Sequence, residues 1–436
     1  DRKGIFMIDA SKGFVKDGNK NRLSEQDNRK VIDTWNGKLE ISKYSRFVSN
    51  DEIKKNEYNL NLPRYIDTQE PEDIQDIEAH LKGGIPEADI TALSAYWDIC
   101  STLKHSLFKA NGRKGYSEVM IPHDEIKKTI LTHPEFEVFR QQVLSIFNKW
   151  QKASSSFLRT IGNTNHPKAI IQKIADDLLS ICASLPLVDK YDIYQHLMNY
   201  WDEIMQDDTH IITVDGWKSG NEVIRLQKDN KGKKKDVEGL VGLEGKLVPI
   251  SLVIKTYFTK ERIILDELNA TLEHVGVDMD SLKNEHGGED GLLSEVIENE
   301  KISKASVQKR IKEIKNSKDD KDELVLLEEY LVLFDKETDS KKVIKDSEKD
   351  LEKKVLAKYP TFTLDEIKTL IVDRKWMDEI SAHVLGEVDR LSQTLASRVK
   401  ELAECYAEPI AEISTEVKTL TKKVEGHLSK MGFDLK

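Results

Sequence analysis

Gly4-Ile-Phe-Met-Ile-Asp-Ala-Ser-Lys-Gly-Phe-Val-Lys16 is the stretch on which the reading of this chain turns. Ile5 to Ile8 form an apolar run without polar alternation, the pattern of a strand covered on both faces in an α/β sheet. One strand cannot make a sheet, and the chain offers few other strand patterns. Residues 1 to 66 therefore read as the closing part of a fold whose beginning is missing, so an N-terminal truncation is expected. Asp9 ends the run, where α/β folds place ligand-facing residues, although it can equally cap the turn through Ser11. Beyond it Lys12, Lys16, Asn19, Lys20, Asn21 and Arg22 form a polar loop able to donate to phosphates or base edges; the plain alternative is a mobile solvated loop.

Charge supports a local reading of that loop. The whole chain carries a net charge of -11, yet residues 1 to 66 hold fourteen Lys/Arg against ten Asp/Glu, a balance of +4. Screening over about 8 Å at physiological salt lets such a basic segment meet phosphates despite an acidic whole. Charged residues make up 33% of the 436 and mean hydropathy is -0.53, as in chains with long charged helices. No apolar run approaches the roughly 20 residues that cross a bilayer, so a cytoplasmic protein without a membrane partner is expected. Cys100, Cys182 and Cys405 are odd in number and far apart, which suits buried or incidental thiols rather than a disulfide framework or metal site.

The pattern along the chain is mainly α. An acidic linker helix is expected over 67–84, with Pro71 near its start and Gly83-Gly84-Ile85-Pro86 after it. A helical middle domain follows over 85–248. Asp89 caps a helix bearing Ile90, Leu93, Tyr96 and Trp97, Pro134 opens one bearing Phe136 to Trp150, and His166-Pro167 begins a third. Tyr191, Tyr194, Leu197, Met198, Trp201 and Ile204 line a fourth at core spacing. Over 209–247 the runs Ile211–Val214 and Val223–Leu226, on either side of Asp215-Gly216, predict a small β-ribbon, and Lys231 to Lys235 add a basic run that is either solvated or in contact with phosphate. Residues 249–360 predict a coiled-coil hairpin, since Leu265, Leu268, Leu272, Val275, Met279 and Leu282 repeat at three and four, with a return turn near Asn316 to Asp322. Long helices complete 361–436. Their stripe runs from Trp376 through Leu391, Leu395, Val399 and Leu402, is interrupted at Pro409, and resumes with Val417, Leu420 and Val424.

The first motif together with Tyr58-Asn-Leu-Asn-Leu-Pro-Arg-Tyr-Ile-Asp67 resembles the end of the catalytic domain in modification (M) subunits of type I restriction-modification systems, the N6-adenine DNA methyltransferases. Asp189–Trp201, Glu285–Leu292, Lys358-Tyr-Pro-Thr361 and the tail from Arg390 to Phe433 are similar to the long-tailed branch of that family. The resemblance implies that 1–66 is the C-terminal remnant of a Rossmann-like methyltransferase domain. It implies S-adenosylmethionine as cofactor of the intact parent, DNA as substrate, and specificity and restriction subunits as partners.

The chemistry of that family is not in this sequence. Its members hold a flipped adenine with an Asn/Asp-Pro-Pro-Phe/Tyr loop and bind the cofactor on a Gly-rich turn, and the ten prolines here include no Pro-Pro pair. Gly239, Gly242 and Gly245 come nearest to a glycine fingerprint but lack the strand-turn-helix setting. The eleven histidines show no metal spacing and there is no nucleophile elbow, so no catalytic, cofactor-binding or metal residue is assigned. The expectation is an inactive C-terminal part of an M subunit. In the family resembled, the seam Leu391, Leu395, Val399, Leu402, Val417, Leu420 and Val424 would meet the specificity subunit; an intramolecular hairpin with 257–356 or self-association are the other ways to cover it. A free-standing helical scaffold or DNA clamp without enzymatic activity is the alternative.

Overall fold

The computed structural model describes residues 3–68, 76–230, 233–288, 291–298, 301–315, 320–407 and 410–431. The described chain is mainly α, with short sheets of two or three strands. The Ile5 run is strand β1 (Gly4–Ile8), followed by β2 (Val15–Asp17), β3 (Lys20–Arg22), helix α1 (Glu25–Gly37) and β4 (Ser45–Ser49). β4 is the partner that the sequence did not betray: it pairs antiparallel with β1, Ile5 opposite Val48 and Phe6 opposite Phe47. Coverage on both faces, expected for this run, is not found among the described residues. Met7 and Val48 share one face and are buried with Ile53, Tyr65 and Ile66, whereas on the other face Phe47 is exposed and Phe6 is half-buried beside Trp35. The physical reason is that a two-stranded ribbon with one packed layer has one dry face.

Helices carry the rest. Counting those of eight residues or more, α2 (Pro134–Leu158), α3 (Pro167–Cys182), α4 (Lys190–Tyr200) and α5 (Gln206–Val214) are followed by α6 (Ile250–Tyr257) and α7 (Thr259–His286). Then come α8 (Lys304–Ile314), α9 (Lys321–Lys358), α10 (Asp378–Cys405) and α11 (Ile410–Lys430). Pro134 and Pro167 sit at the first helical position as expected, where a missing N–H costs nothing. Pro71 and Pro409, and residues 316–319 of the expected turn, lie outside the described residues.

Two compact units divide the chain, one formed by residues 1–210 with 376–436 and the other by 211–375. Neither limit coincides with a segment boundary read from the sequence. In the first unit α10 packs on α2, on α4 and on the short helix Ile126–Leu131, burying Ile380, Val384, Val388, Leu395 and Val399. Buried indoles are paired there: Trp150 Nε1 donates to the Ile174 carbonyl at 2.9 Å and Trp376 Nε1 to the Asp208 carboxylate at 2.8 Å.

In the second unit α7 and α9 lie antiparallel. Lys354 near the end of α9 meets Glu261 at the start of α7 at 3.3 Å, while Met279 and Leu282 join the cluster of Leu326, Leu327 and Tyr330 at the opposite end. Of the apolar residues of α7, Leu265 and Val275 are buried and Leu268, Leu272, Met279 and Leu282 half-buried, while Ile263, Ile264 and Val277 are exposed.

The β-ribbon expected around Asp215-Gly216 is corrected. Ile211–Val214 continues helix α5, and Gly216, at φ +82°, follows its end instead of turning a hairpin. Met205, Asp208, Thr209 and Ile212 are buried in succession, a 3.6-residue period that overrides a β-branched preference worth only tenths of a kcal/mol per residue. The preceding strands β5 (Ile85–Pro86), β6 (Phe108–Ala110) and β7 (Tyr116–Val119) form a sheet of their own; strand β8 (Val223–Arg225) pairs instead with a later strand, Leu243–Gly245, and between them β9 (Gln227–Asn230) and β10 (Lys233–Asp236) form their own antiparallel pair.

Candidate nucleic-acid interface

Of the six polar residues picked from the loop after β1, five come together. These five, Lys16, Asn19, Lys20, Asn21 and Arg22, ride on the β2–β3 hairpin, in which Lys16 stands opposite Asn21 and Asp17 opposite Lys20. The hairpin closes through Gly18-Asn19, with Gly18 at φ +59° in the first loop position, a conformation that costs glycine nothing and other residues strain. Every one of the six, Lys12 included, is exposed. Arg22 Nε lies 3.6 Å from the Asp17 carboxylate, both 68% exposed, so that pair neutralises little in water. The remaining lysines leave the hairpin a cationic projection.

What holds the hairpin is more buried. The Asp9 carboxylate accepts the Ser11 N–H at 2.9 Å and its own N–H donates to Tyr44 at 2.8 Å, so Asp9 caps the turn. Ser24 and Asp27 make a reciprocal cap on α1. A Cβ at Gly13 would stand 2.2 Å from the Asp27 carboxylate, which explains a glycine in that sequence. The two N-terminal motifs share one core, since Met7 of β1 packs with Val48, Ile53, Tyr65 and Ile66. A hollow of about 310 Å³ beside the carboxyl end of β1 is lined by Glu40, Lys43, Ser45, Arg46, Tyr65 and Asp67. Arg46 donates there to the Tyr65 carbonyl at 3.0 Å and to Glu52 at 2.9 Å.

Helix α1 is docked on α3 and α4 by polar contacts. Arg29 donates to Asp33 at 2.8 Å and to Asp176 at 2.6 Å, and the carboxylates outweigh burial in raising its already high pKa. Tyr191 Oη donates to Asp33 at 3.2 Å, the Gln26 N–H donates to the Gln195 side-chain oxygen at 2.9 Å, and Lys30 approaches Asp189 at 3.8 Å. Asp189, Tyr191 and Gln195 belong to the 189–201 motif quoted above. Its polar residues are therefore what receives the N-terminal segment, a role that aromatic spacing alone does not announce.

The C-terminal seam divides. Leu391, Leu395, Val399 and Leu402 on α10 are buried within the first unit, whereas Val417, Leu420 and Val424 on α11 are 55%, 50% and 56% exposed. Beside α10, Glu387 is buried and its carboxyl is held down at about 2 by the hydrogen bond with His196 and by Arg390, against the cost of burial. The His196 and His383 rings stack at 5.5 Å, and Asp192 lies 3.4 Å from Arg390. No group of acidic, Cys and His residues among those described is arranged to hold a metal ion. All three thiols are unbridged, and burial pushes those of Cys100 and Cys182 up to about 11, away from reactivity. The glycine triplet is structural: a Cβ at Gly242 would lie 1.9 Å from the Val237 carbonyl and one at Gly245 1.9 Å from that of Val248. No described helix is long and apolar enough to cross a membrane.

Against this geometry the comparisons are specific. The family model described as N-6 DNA Methylase matches residues 1–74, the part that carries β1, the cationic hairpin and the Tyr65 core. The methylase subunit of the type I restriction enzyme MpnII from Mycoplasma pneumoniae is 32% identical over 74 residues, covering 17% of this chain and 14% of that protein. The methylase subunit of the type I enzyme MjaVII from Methanocaldococcus jannaschii is 40% identical over 79 residues, with the same coverage. No solved structure matches the chain. The first 74 residues are thus similar to N-6 DNA methylases. Both relatives are methylase subunits of type I restriction enzymes, which agrees with the resemblance carried by the two N-terminal motifs. The chain spans about one seventh of the length of the curated relatives it matches.

Proposed function

We propose that this chain is the C-terminal part of the DNA-modification subunit of a type I restriction-modification complex, serving assembly and DNA contact. The observation that carries the reading is the methylase match over residues 1–74 in a sequence with no Pro-Pro loop and no Gly-rich cofactor turn. The parent would transfer a methyl group from S-adenosylmethionine to N6 of an adenine flipped out of the duplex, in a site chosen by the specificity subunit. Residues 1–66 would complete the methyltransferase domain, with 67–84 as linker and 85–248 as middle domain. Residues 249–360 would serve as a spacer hairpin, and 361–436 would assemble the complex with the specificity and restriction subunits in the cytoplasm.

Two surfaces support the division of labour. The β2–β3 hairpin offers Lys16, Lys20 and Arg22 to phosphates, which gives affinity without sequence choice. The apolar stripe of α11 offers Val417, Leu420 and Val424 to a helix of the specificity subunit. The test is size-exclusion chromatography of the chain with its specificity subunit. A joint peak is expected for the wild type and separate peaks for Leu420→Glu; a joint peak for both would remove α11 from the interface.

A further inference from the structure

The second unit carries a basic element that the methylase match does not reach. Residues 227–236 hold five lysines against two aspartates, a balance of +3 in a chain of net charge -11, with no apolar or aromatic residue. The register of β9 and β10 sorts these charges. Lys228 stands directly opposite Lys235, while Gln227 stands opposite Asp236 and position 229, an aspartate, opposite Lys234. Because faces alternate along a strand, the register positions of both aspartates fall on one face and the Lys228–Lys235 pair on the other. Like charges directly opposite each other destabilise an isolated ribbon, so this pair is tolerable only where something anionic or water relieves it. Gln227 Nε2 donates to Asp236 at 2.8 Å, which occupies that carboxylate away from the lysines.

The base of the ribbon is firmly built. The Leu226 N–H donates to Gly242 at 2.8 Å and that of Val237 to Leu226 at 2.9 Å, carrying the ladder from β8 into the ribbon. Arg225 donates to the Val237 carbonyl at 3.0 Å and pairs with Glu352 of α9. That arginine is thereby neutralised by structure, whereas Lys228, Lys234 and Lys235 are exposed and meet no carboxylate in an ion pair among the described residues.

We propose that the β9–β10 ribbon lays Lys228 and Lys235 on the phosphate backbone of duplex DNA, as a second contact independent of the β2–β3 hairpin. The inference rests on the DNA-modification reading above. Charge complementarity selects the occupant. A ribbon without aromatic side chains cannot stack on single-stranded bases, and one without apolar side chains has nothing to insert into a lipid surface. Sequence-independent phosphate contact is what remains for it, and the salt dependence of binding counts such contacts directly.

The experiment is fluorescence anisotropy of the full chain on a labelled random-sequence duplex between 50 and 300 mM salt. Lys228→Gln/Lys235→Gln is compared with Lys342→Gln/Lys353→Gln, a charge-matched change on exposed lysines of α9, and circular dichroism checks that all are folded. The ribbon variant should lose about 1.8 from the slope of log K against log salt, at about 0.9 per phosphate, and the α9 variant should keep the wild-type slope. An unchanged ribbon slope, in a wild type that binds duplex, overturns the ribbon and leaves the methylase reading standing. Equal losses in both variants overturn it too, since net charge alone would then be at work. A wild type that binds no duplex at 50 mM salt removes DNA contact from the proposed function as well. Loss of binding to phosphatidylserine vesicles, with duplex binding intact, would give the ribbon to a membrane instead.

Discussion

Single side chains decide how the methylase-like segment is held. Arg29 joins α1 to Asp176 of α3 and is only partly exposed, so Arg29→Ala should cost about 1–2 kcal/mol in a urea titration, less than a fully buried charged hydrogen bond because water reaches the site. A loss below about 0.3 kcal/mol would mean that the contact is incidental. Glu387 gives a pH dependence with a defined sign. Its folded value of about 2 lies below the ordinary 4.5, so its contribution is complete above pH 4.5 and is lost as the pH falls toward 2. His196, Asp192 and Arg390 face it, with His383 stacked on His196 and paired with Glu379, and Glu387→Gln should lower stability by about 1–3 kcal/mol at pH 7 and by much less near pH 2. A pH-independent difference between the two proteins would contradict this assignment. Neither site is legible in the sequence, because each joins residues more than a hundred positions apart, Arg29 with Asp176 and His196 with Glu387.

At the scale of elements, periodicity was the readable signal and its limits are instructive. The 3-4 repeat of α7 marks the residues that are covered, and the prolines at 134 and 167 mark helix starts, because both signals are local. Strand β4 escapes notice since Ser45-Arg-Phe-Val-Ser49 has two apolar residues and gains its burial only through β1. Ile211–Val214 misleads in the opposite sense, its β-branched run serving a helix face. The stripe from Leu391 to Val424 shows that something must cover it without saying what. The chain covers the α10 half by itself and leaves the α11 half exposed. Leu420→Glu should therefore change stability by no more than about 0.5 kcal/mol while abolishing joint elution with the specificity subunit. A large loss of stability would show that the stripe is internal.

For the whole molecule, the proposed function makes the chain one part of a divided activity: a methylase-like end, cationic ribbons in both units, and an exposed apolar helix in residues 410–430. The mainly α character was readable from composition and pattern, while the two units were not, since residues 376–436 rejoin residues 1–210 across 165 intervening positions. The candidate residues were readable as a cluster because they lie close together in the sequence, whereas the β2–β3 pairing that carries five of them was read only as a loop. The most direct measurement is transfer of labelled methyl from S-adenosylmethionine to duplex DNA by this chain alone and by the chain combined with the specificity subunit and a polypeptide bearing the glycine-rich turn and Asn-Pro-Pro-Phe loop. The account predicts no transfer by the chain alone and transfer by the combination that falls to background when the chain is left out. Methylation by the chain alone, or methylation that proceeds equally well without it, would contradict the account.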